Sequence, residues 1–226
     1  MFTVMSTISF RIYVDAIINH MTGQYSGKGT AGNSFDGESC SYPAVPYGSN
    51  DCNGADVCHT SDGNVHDYNN LAEVRNCKLV ALSDLRLEKN YVRDKIVEYL
   101  NKLINMGVAG FRVDAAKHIW PDDMEIIFSR VNDLDDNVYG LRFRPFIYYE
   151  ILDMGKSSMS TSEFLYNARV TNFIYGDKLT NIFLKHTDQA KWLSNWGEAW
   201  GMPKSEDVVV FISNHDNQRG HGAGCE

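Results

Sequence analysis

Three acidic residues close segments that read as β-strands: Asp114 after VAGFRV, Glu150 after FIYY and Asp216 after VVVFISNH. Side chains alternate between the two faces of a strand, so Gly110, Arg112 and Asp114 share one face while Phe111 and Val113 take the other. The same count places Tyr148 with Glu150, and Asn214 with Asp216. An aspartate at a strand end ordinarily caps a helix or hydrogen-bonds a loop. Three carboxylates at the C-terminal ends of strands, the edge where parallel α/β folds handle ligands, instead make a candidate active site. Carboxylates facing one lumen repel each other unless one stays protonated. That division, one ionised nucleophile and one protonated donor, is what retaining cleavage of a glycosidic bond requires.

The elements that must position these acids follow from periodicity. Residues 11–18 (RIYVDAII) read as a strand, and a polar stretch over 21–76 follows at once. That stretch is too long for an ordinary connection and reads as a small subdomain held by its own staples. Cys40, Cys52, Cys58 and Cys77 lie around it, which suggests disulfides made in an oxidising compartment. With Cys225 the count is five, so at least one thiol is left over. A cysteine metal site is the rival reading, and the spacing argues against it because no CxxC pair has a second pair at zinc-finger distance.

Over 88–105 the residues Val92, Ile96, Tyr99, Leu100, Leu103 and Ile104 follow helical spacing, and Gly107 stands where a helix would stop. Pro121, Asp122 and Asp123 open a second helix with Met124, Ile127, Phe128 and Val131 on one face. A strand over RPFIYYEIL, another over 169–175, a helix over 179–191 and the strand VVVFISN complete the pattern. Strands alternating with helices predict an α/β fold with a parallel sheet, open or closed into a barrel.

Bulk properties narrow the partners. The formal net charge of -8 leaves nothing to neutralise a row of phosphates, so no nucleic acid is expected. No window approaches the roughly 20 apolar residues of a membrane span, and the opening MFTVMSTISF has neither a basic n-region nor a small-residue cleavage site. At 226 residues the chain falls slightly short of a (β/α)8 barrel, which takes roughly 250.

Four segments carry a family resemblance. VDAIINH (14–20), GFRVDAAKHIWP (110–121), FIYYEILDMG (146–155) and FISNHDNQRGHGAG (211–224) resemble, in order, the signature segments of animal-type, chloride-dependent α-amylases of glycoside hydrolase family 13. The resemblance extends from about Arg11 to Gly224. It implies a partial (β/α)8 TIM barrel, about strands 3 to 7, with an irregular subdomain inserted after the third barrel strand. Residues 1–20 would begin the barrel, 21–84 form a calcium-binding subdomain B, and 85–226 continue the barrel. The first strands, strand 8 and a C-terminal β-sandwich domain are expected to lie outside this chain.

Carried over position by position, the resemblance implies Asp114 as nucleophile, Glu150 as general acid/base and Asp216 as the third carboxylate that distorts and orients the sugar. His20 and His215 match histidines that hydrogen-bond the sugar, Lys117 and His221 match further substrate contacts, and Tyr68 matches an aromatic subsite. Asn19, Arg75, Asp84 and His118 match the holders of a structural calcium, Arg75 and His118 through backbone carbonyls, and Cys58 and Cys77 match a disulfide pair. Arg112 and Asn214 match chloride ligands, the anion raising the pKa of the acid/base; the competing reading of Arg112 is a plain pairing with a neighbouring carboxylate.

Tyr149, Ser213 and Cys225 depart from the family's common glutamine, aspartate and glycine. The implied activity is endo-hydrolysis of α-1,4-glucosidic bonds in starch, glycogen and maltodextrins by a secreted, monomeric parent protein. A related transglycosylase, or an inactive fragment that binds glucan weakly, are the alternatives.

Overall fold

Residues 10–154, 159–166, 168–186 and 190–216 are described by the structure, a computed structural model. They fall into two compact units that divide between Ile147 and Tyr148.

In the first unit, β1 (Tyr13–Ala16) turns Ala16 into the core and runs on through the buried Ile18 and Asn19. The excursion that follows is ordered by polar bonds more than by regular elements. Its β2 (Ser26–Lys28) and β3 (Ser34–Asp36) pair antiparallel as a short hairpin. The Tyr42 hydroxyl lies 2.9 Å from Thr22 Oγ1 and donates to Ser83 Oγ at 3.0 Å, and Ser83 Oγ donates in turn to the Gly37 carbonyl at 2.7 Å. Two disulfides close it, Cys40–Cys52 and Cys58–Cys77. The second is the pair the resemblance implied; the first resolves a pairing that spacing left open. Helix α1 (Leu71–Asn76) is capped by Asn70, whose side chain accepts from Ala72 N at 3.1 Å.

Helix α2 (Asn90–Asn105) buries Val92, Ile96, Leu100 and Ile104, one residue per turn. Gly107 then turns the chain at φ +98°, a conformation that costs glycine no Cβ clash. Strand β4 (Gly110–Val113) lies parallel to β1 in the register Tyr13↔Gly110 to Ala16↔Val113. Phe146 N donates to Ala109 O at 3.0 Å on its other side. That approach demands glycine at 110, where a Cβ would sit 2.2 Å from the Phe146 carbonyl oxygen. Helix α3 (Pro121–Ser129) begins at its proline as expected and buries Met124, Ile127 and Phe128; a single turn, α4 (Asp136–Tyr139), follows.

Strand β5 (Phe146–Tyr149) spans the division. In the second unit its Tyr148 and Tyr149 pair parallel with β6 (Arg169–Asn172), and β6 pairs parallel with β7 (Val208–Val210). Here the sequence expectation needs correcting. The strand expected over 169–175 stops at Asn172, whose side chain accepts from Tyr175 N at 3.1 Å and starts α5 (Phe173–Phe183). The helix expected over 179–191 therefore begins six residues earlier and ends at Phe183. An N-cap asparagine outweighs the aromatic, β-branched composition of 173–175. Among the described residues, no helix is long and apolar enough to cross a membrane.

Candidate active site

Asp114 stands one residue past β4, where Ala115 takes a left-handed turn (φ 47°) and ends the strand. Its backbone N–H still donates to Ala16 O at 3.1 Å, so the β1 ladder fixes the base of the side chain. Arg112, two residues back on the same face, donates from Nη1 to Asp114 Oδ1 at 2.8 Å and to Asp15 Oδ1 at 2.5 Å. Asp15 is the ladder partner of Arg112 in β1. The face count thus set Arg112 beside Asp114, whereas the pairing of Asp15 with Arg112 was not anticipated. Only the place of Asp15 inside VDAIINH could have signalled it.

Around this acid the first unit collects several of the expected substrate contacts. Burial lowers the pKa of His20, against the opposing pull of the Asp114 charge, which favours a neutral imidazole at physiological pH. Its Nδ1 is buried and has no hydrogen-bond partner among the described residues. His118 is held down to about 4, chiefly by burial, and its Nδ1 lies 2.8 Å from Val74 O. The charges of Lys117 and Asp114 both reach it. The exposed Tyr68 ring lies nearly perpendicular to that of His118, with centroids 6.3 Å apart.

The four residues expected to hold calcium also lie in this unit. Asn19 and Asp84 are 1% and 2% exposed. They are neighbours through the Leu85 N to Asn19 O bond (2.9 Å) and the His20–Asp84 bridge. Asn19, Arg75 and His118 line one small cavity, which Asn53 also lines. Burial pushes the Asp84 carboxyl up to about 8, opposed by the Asn53 hydrogen bond (2.7 Å) and the charge of Lys78. An acid buried so deeply stays uncharged at neutral pH unless a cation stands beside it.

The side chains of His118 and Arg75 are engaged away from such a role, on Val74 O and over the Trp120 ring at 4.9 Å, so carbonyls are what these two residues have to offer. No group of three or more His, Cys, Asp or Glu among the described residues could hold a metal. A carboxylate, an amide oxygen and two carbonyls are hard donors, and they fit calcium better than a transition metal.

In the second unit, Glu150 is buried at the end of β5 beside the buried Tyr149, which packs edge-on against Phe164 at 6.3 Å. Tyr149, Glu150 and Ile151 are buried in succession, the pattern of a strand covered on both faces. Thr171 Oγ1 clamps the next residue, accepting from Ile151 N at 2.9 Å and donating to Ile151 O at 3.3 Å. Asp216 is about half exposed, with His215 Nε2 at 3.6 Å from its Oδ2. Its backbone N–H donates to Asn214 Oδ1 at 3.1 Å, a local turn that draws Asn214, His215 and Asp216 together. His221 lies outside the described residues.

Comparison with known proteins gives these elements a context. The model of the alpha-amylase catalytic domain matches residues 1–138. The alpha-amylase of Pecten maximus is 56% identical over 218 residues, covering 96% of this chain and 43% of that protein. Human pancreatic alpha-amylase is 46% identical over 228 residues, covering 99% of this chain and 44% of its own length. Among solved structures, alpha-amylase I of Eisenia fetida superposes with a TM-score of 0.95 at 51% identity, over 98% of this chain and 45% of that one. A variant of the same earthworm protein is solved in complex with maltohexaose. The chain spans less than half the length of these relatives. Its fold is part of a (β/α)8 barrel, parallel strands alternating with helices, with an antiparallel hairpin in the inserted excursion.

Proposed function

We propose a glucan-cleaving function from one premise: the chain belongs to the alpha-amylase family, by its catalytic domain. The protein of which it is part hydrolyses internal α-1,4-glucosidic bonds of starch, glycogen and maltodextrins with retention at the anomeric carbon. Asp114 is the nucleophile, Glu150 protonates the leaving oxygen and later activates water, and Asp216 orients the sugar. The observation that carries the reading is Asp114 itself. It is pinned by Arg112 at 2.8 Å at the C-terminal end of a parallel strand, with the proton-poor His20 close enough to feel its charge. An imidazole kept neutral there is suited to hydrogen-bond a sugar hydroxyl. We assign Tyr68 to stacking and Lys117, His215 and His221 to further sugar contacts.

Asn19 and Asp84 side chains with the Arg75 and His118 carbonyls would hold calcium, which supplies a fixed positive charge where the excursion joins the strands. Residues 21–84 form the calcium-binding subdomain, between the barrel segments 1–20 and 85–226. Chloride would bind at Arg112 and Asn214. Support for chloride is the guanidinium's charge, while Arg112 Nη1 is already engaged by Asp15 and Asp114. The extended protein is expected to be secreted and monomeric, and the two disulfides support an oxidising compartment.

Reducing-sugar release from soluble starch, in calcium and chloride and again with a chelator, tests the reading. Turnover that yields the α-anomer first and falls on the order of 10^4-fold or more in Asp114→Asn supports it. Normal turnover by that variant or initial β-anomer overturns it; a folded and wholly inactive sample of this chain favours the inactive-fragment alternative.

A further inference from the structure

We propose that Asn53 is a positioning residue of the cation site: it holds the Asp84 carboxylate in the orientation an oxygen-seeking divalent ion requires. The inference rests on the calcium reading above and adds to it a residue outside the four donors.

Two hydrogen bonds run from Asn53 to Asp84. The backbone N–H donates to Asp84 O at 2.9 Å, and side-chain Nδ2 donates to Asp84 Oδ2 at 2.7 Å. The first fixes the main chain from which the carboxylate projects; the second fixes the rotation of the carboxylate. On the far side the same segment is held by Leu85 N donating to Asn19 O at 2.9 Å. Asp84 is therefore gripped between Asn53 and the exit of β1, and Asn53 lines the same cavity as Asn19, Arg75 and His118.

Asn53 is itself anchored. Its neighbour Cys52 is bonded to Cys40 and bridges Leu85, while Cys58 is bonded to Cys77. Between these staples Asp56 is paired with Arg86. A donor mounted between two covalent cross-links loses little further freedom when it binds, so its hold on Asp84 is largely preorganised. The residue type also matters. An amide satisfies one carboxylate lone pair without bringing a positive charge that would compete with the ion, as a lysine there would, and it leaves the remaining lone pairs for coordination. Partners that orient a ligating carboxylate in this way are typically worth about 10–100-fold in metal affinity.

The test is a direct calcium titration of the chain by calorimetry, with melting midpoints recorded at one fixed calcium concentration and in excess chelator. The set is wild type, Asn53→Ala, Asn53→Leu to preserve side-chain volume, and Asp56→Ala as a control in the same loop. We expect both Asn53 variants to lose about 10–100-fold in calcium affinity. The gap between calcium-bound and chelated midpoints should narrow accordingly, because stabilisation by a ligand follows its affinity. A purely structural role would lower both midpoints together and keep the gap. Asp56→Ala should stay within about twofold of wild type, well below the loss expected for an orienting partner.

Wild-type affinity in either folded Asn53 variant overturns the inference while leaving the calcium reading intact. An equal loss in Asp56→Ala overturns it too, since order in the loop would then account for the effect. No saturable calcium binding by wild type overturns the calcium reading, and this inference with it.

Discussion

The strand layer and the stapled excursion of the first unit hold polar side chains by opposite means. In β1 and β4 position comes from register: Asp15 faces Arg112 across a parallel ladder, and Phe111 and Val113, both fully buried, lock the layer from its other face. The excursion has little regular structure to offer. There Glu73 gathers the N–H groups of His66 and Asp67 at 3.0 Å each, Asn70 caps α1, and two disulfides close the loops. The difference teaches where robustness lies. A ladder backed by buried apolar residues is cooperative and loses much when one large side chain goes, whereas local side-chain-to-backbone bonds fail singly and cheaply unless the cross-links are cut.

The largest stability effect should therefore come from the layer. Phe111→Ala removes a fully buried ring and is expected to cost about 3–5 kcal/mol in urea unfolding; a cost near that of a surface change would break the contrast. Next comes the joint change Cys58→Ser with Cys77→Ser. It opens a loop of sequence separation 19 and should cost about 2–4 kcal/mol, read as a shift in the unfolding midpoint; reducing agent, which also opens Cys40–Cys52, should shift the wild type further.

A pH series in chelator sharpens the comparison at the cation site. Asp84 has its carboxyl raised from 3.8 to about 8, so its contribution to stability is fully present below the lower value and is lost as pH rises through the higher one. Without calcium the melting midpoint should fall between about pH 5 and pH 8, and saturating calcium should abolish that fall. A chelated midpoint flat across this window would show that Asp84 is not carried uncharged in the metal-free fold. Smallest of all, Asn70→Ala should cost about 1 kcal/mol, the ordinary worth of an N-cap, and a loss several times larger would mean the excursion is as cooperative as the strands.

Much of this architecture was legible in advance. The 3.6-residue spacing of Val92, Ile96, Leu100 and Ile104 and the strand alternation that set Arg112 beside Asp114 are local properties, and both kinds of reading held. At 169–175 the reading failed because composition favoured a strand while a single capping bond at Asn172 started a helix. Partners such as Asn53 for Asp84 left no mark, since an asparagine followed by a glycine reads as a turn and nothing more.

The sequence by itself determined the alternation of strands and helices, the family, and that Asp114 and Glu150 stand at strand ends, because each depends on residue types at short, regular spacing; the strand expected to carry Asp216 stops at Val210, and Asp216 lies in a turn beyond it. Only the tertiary structure decided that Cys40 joins Cys52, that Asp15 meets Arg112 across 97 residues, and that Asp84 is buried deeply enough to need a cation or a proton. Those outcomes depend on ladder register, cross-link geometry and solvent exclusion, which arise between segments distant in the chain and so carry no periodic signature in it.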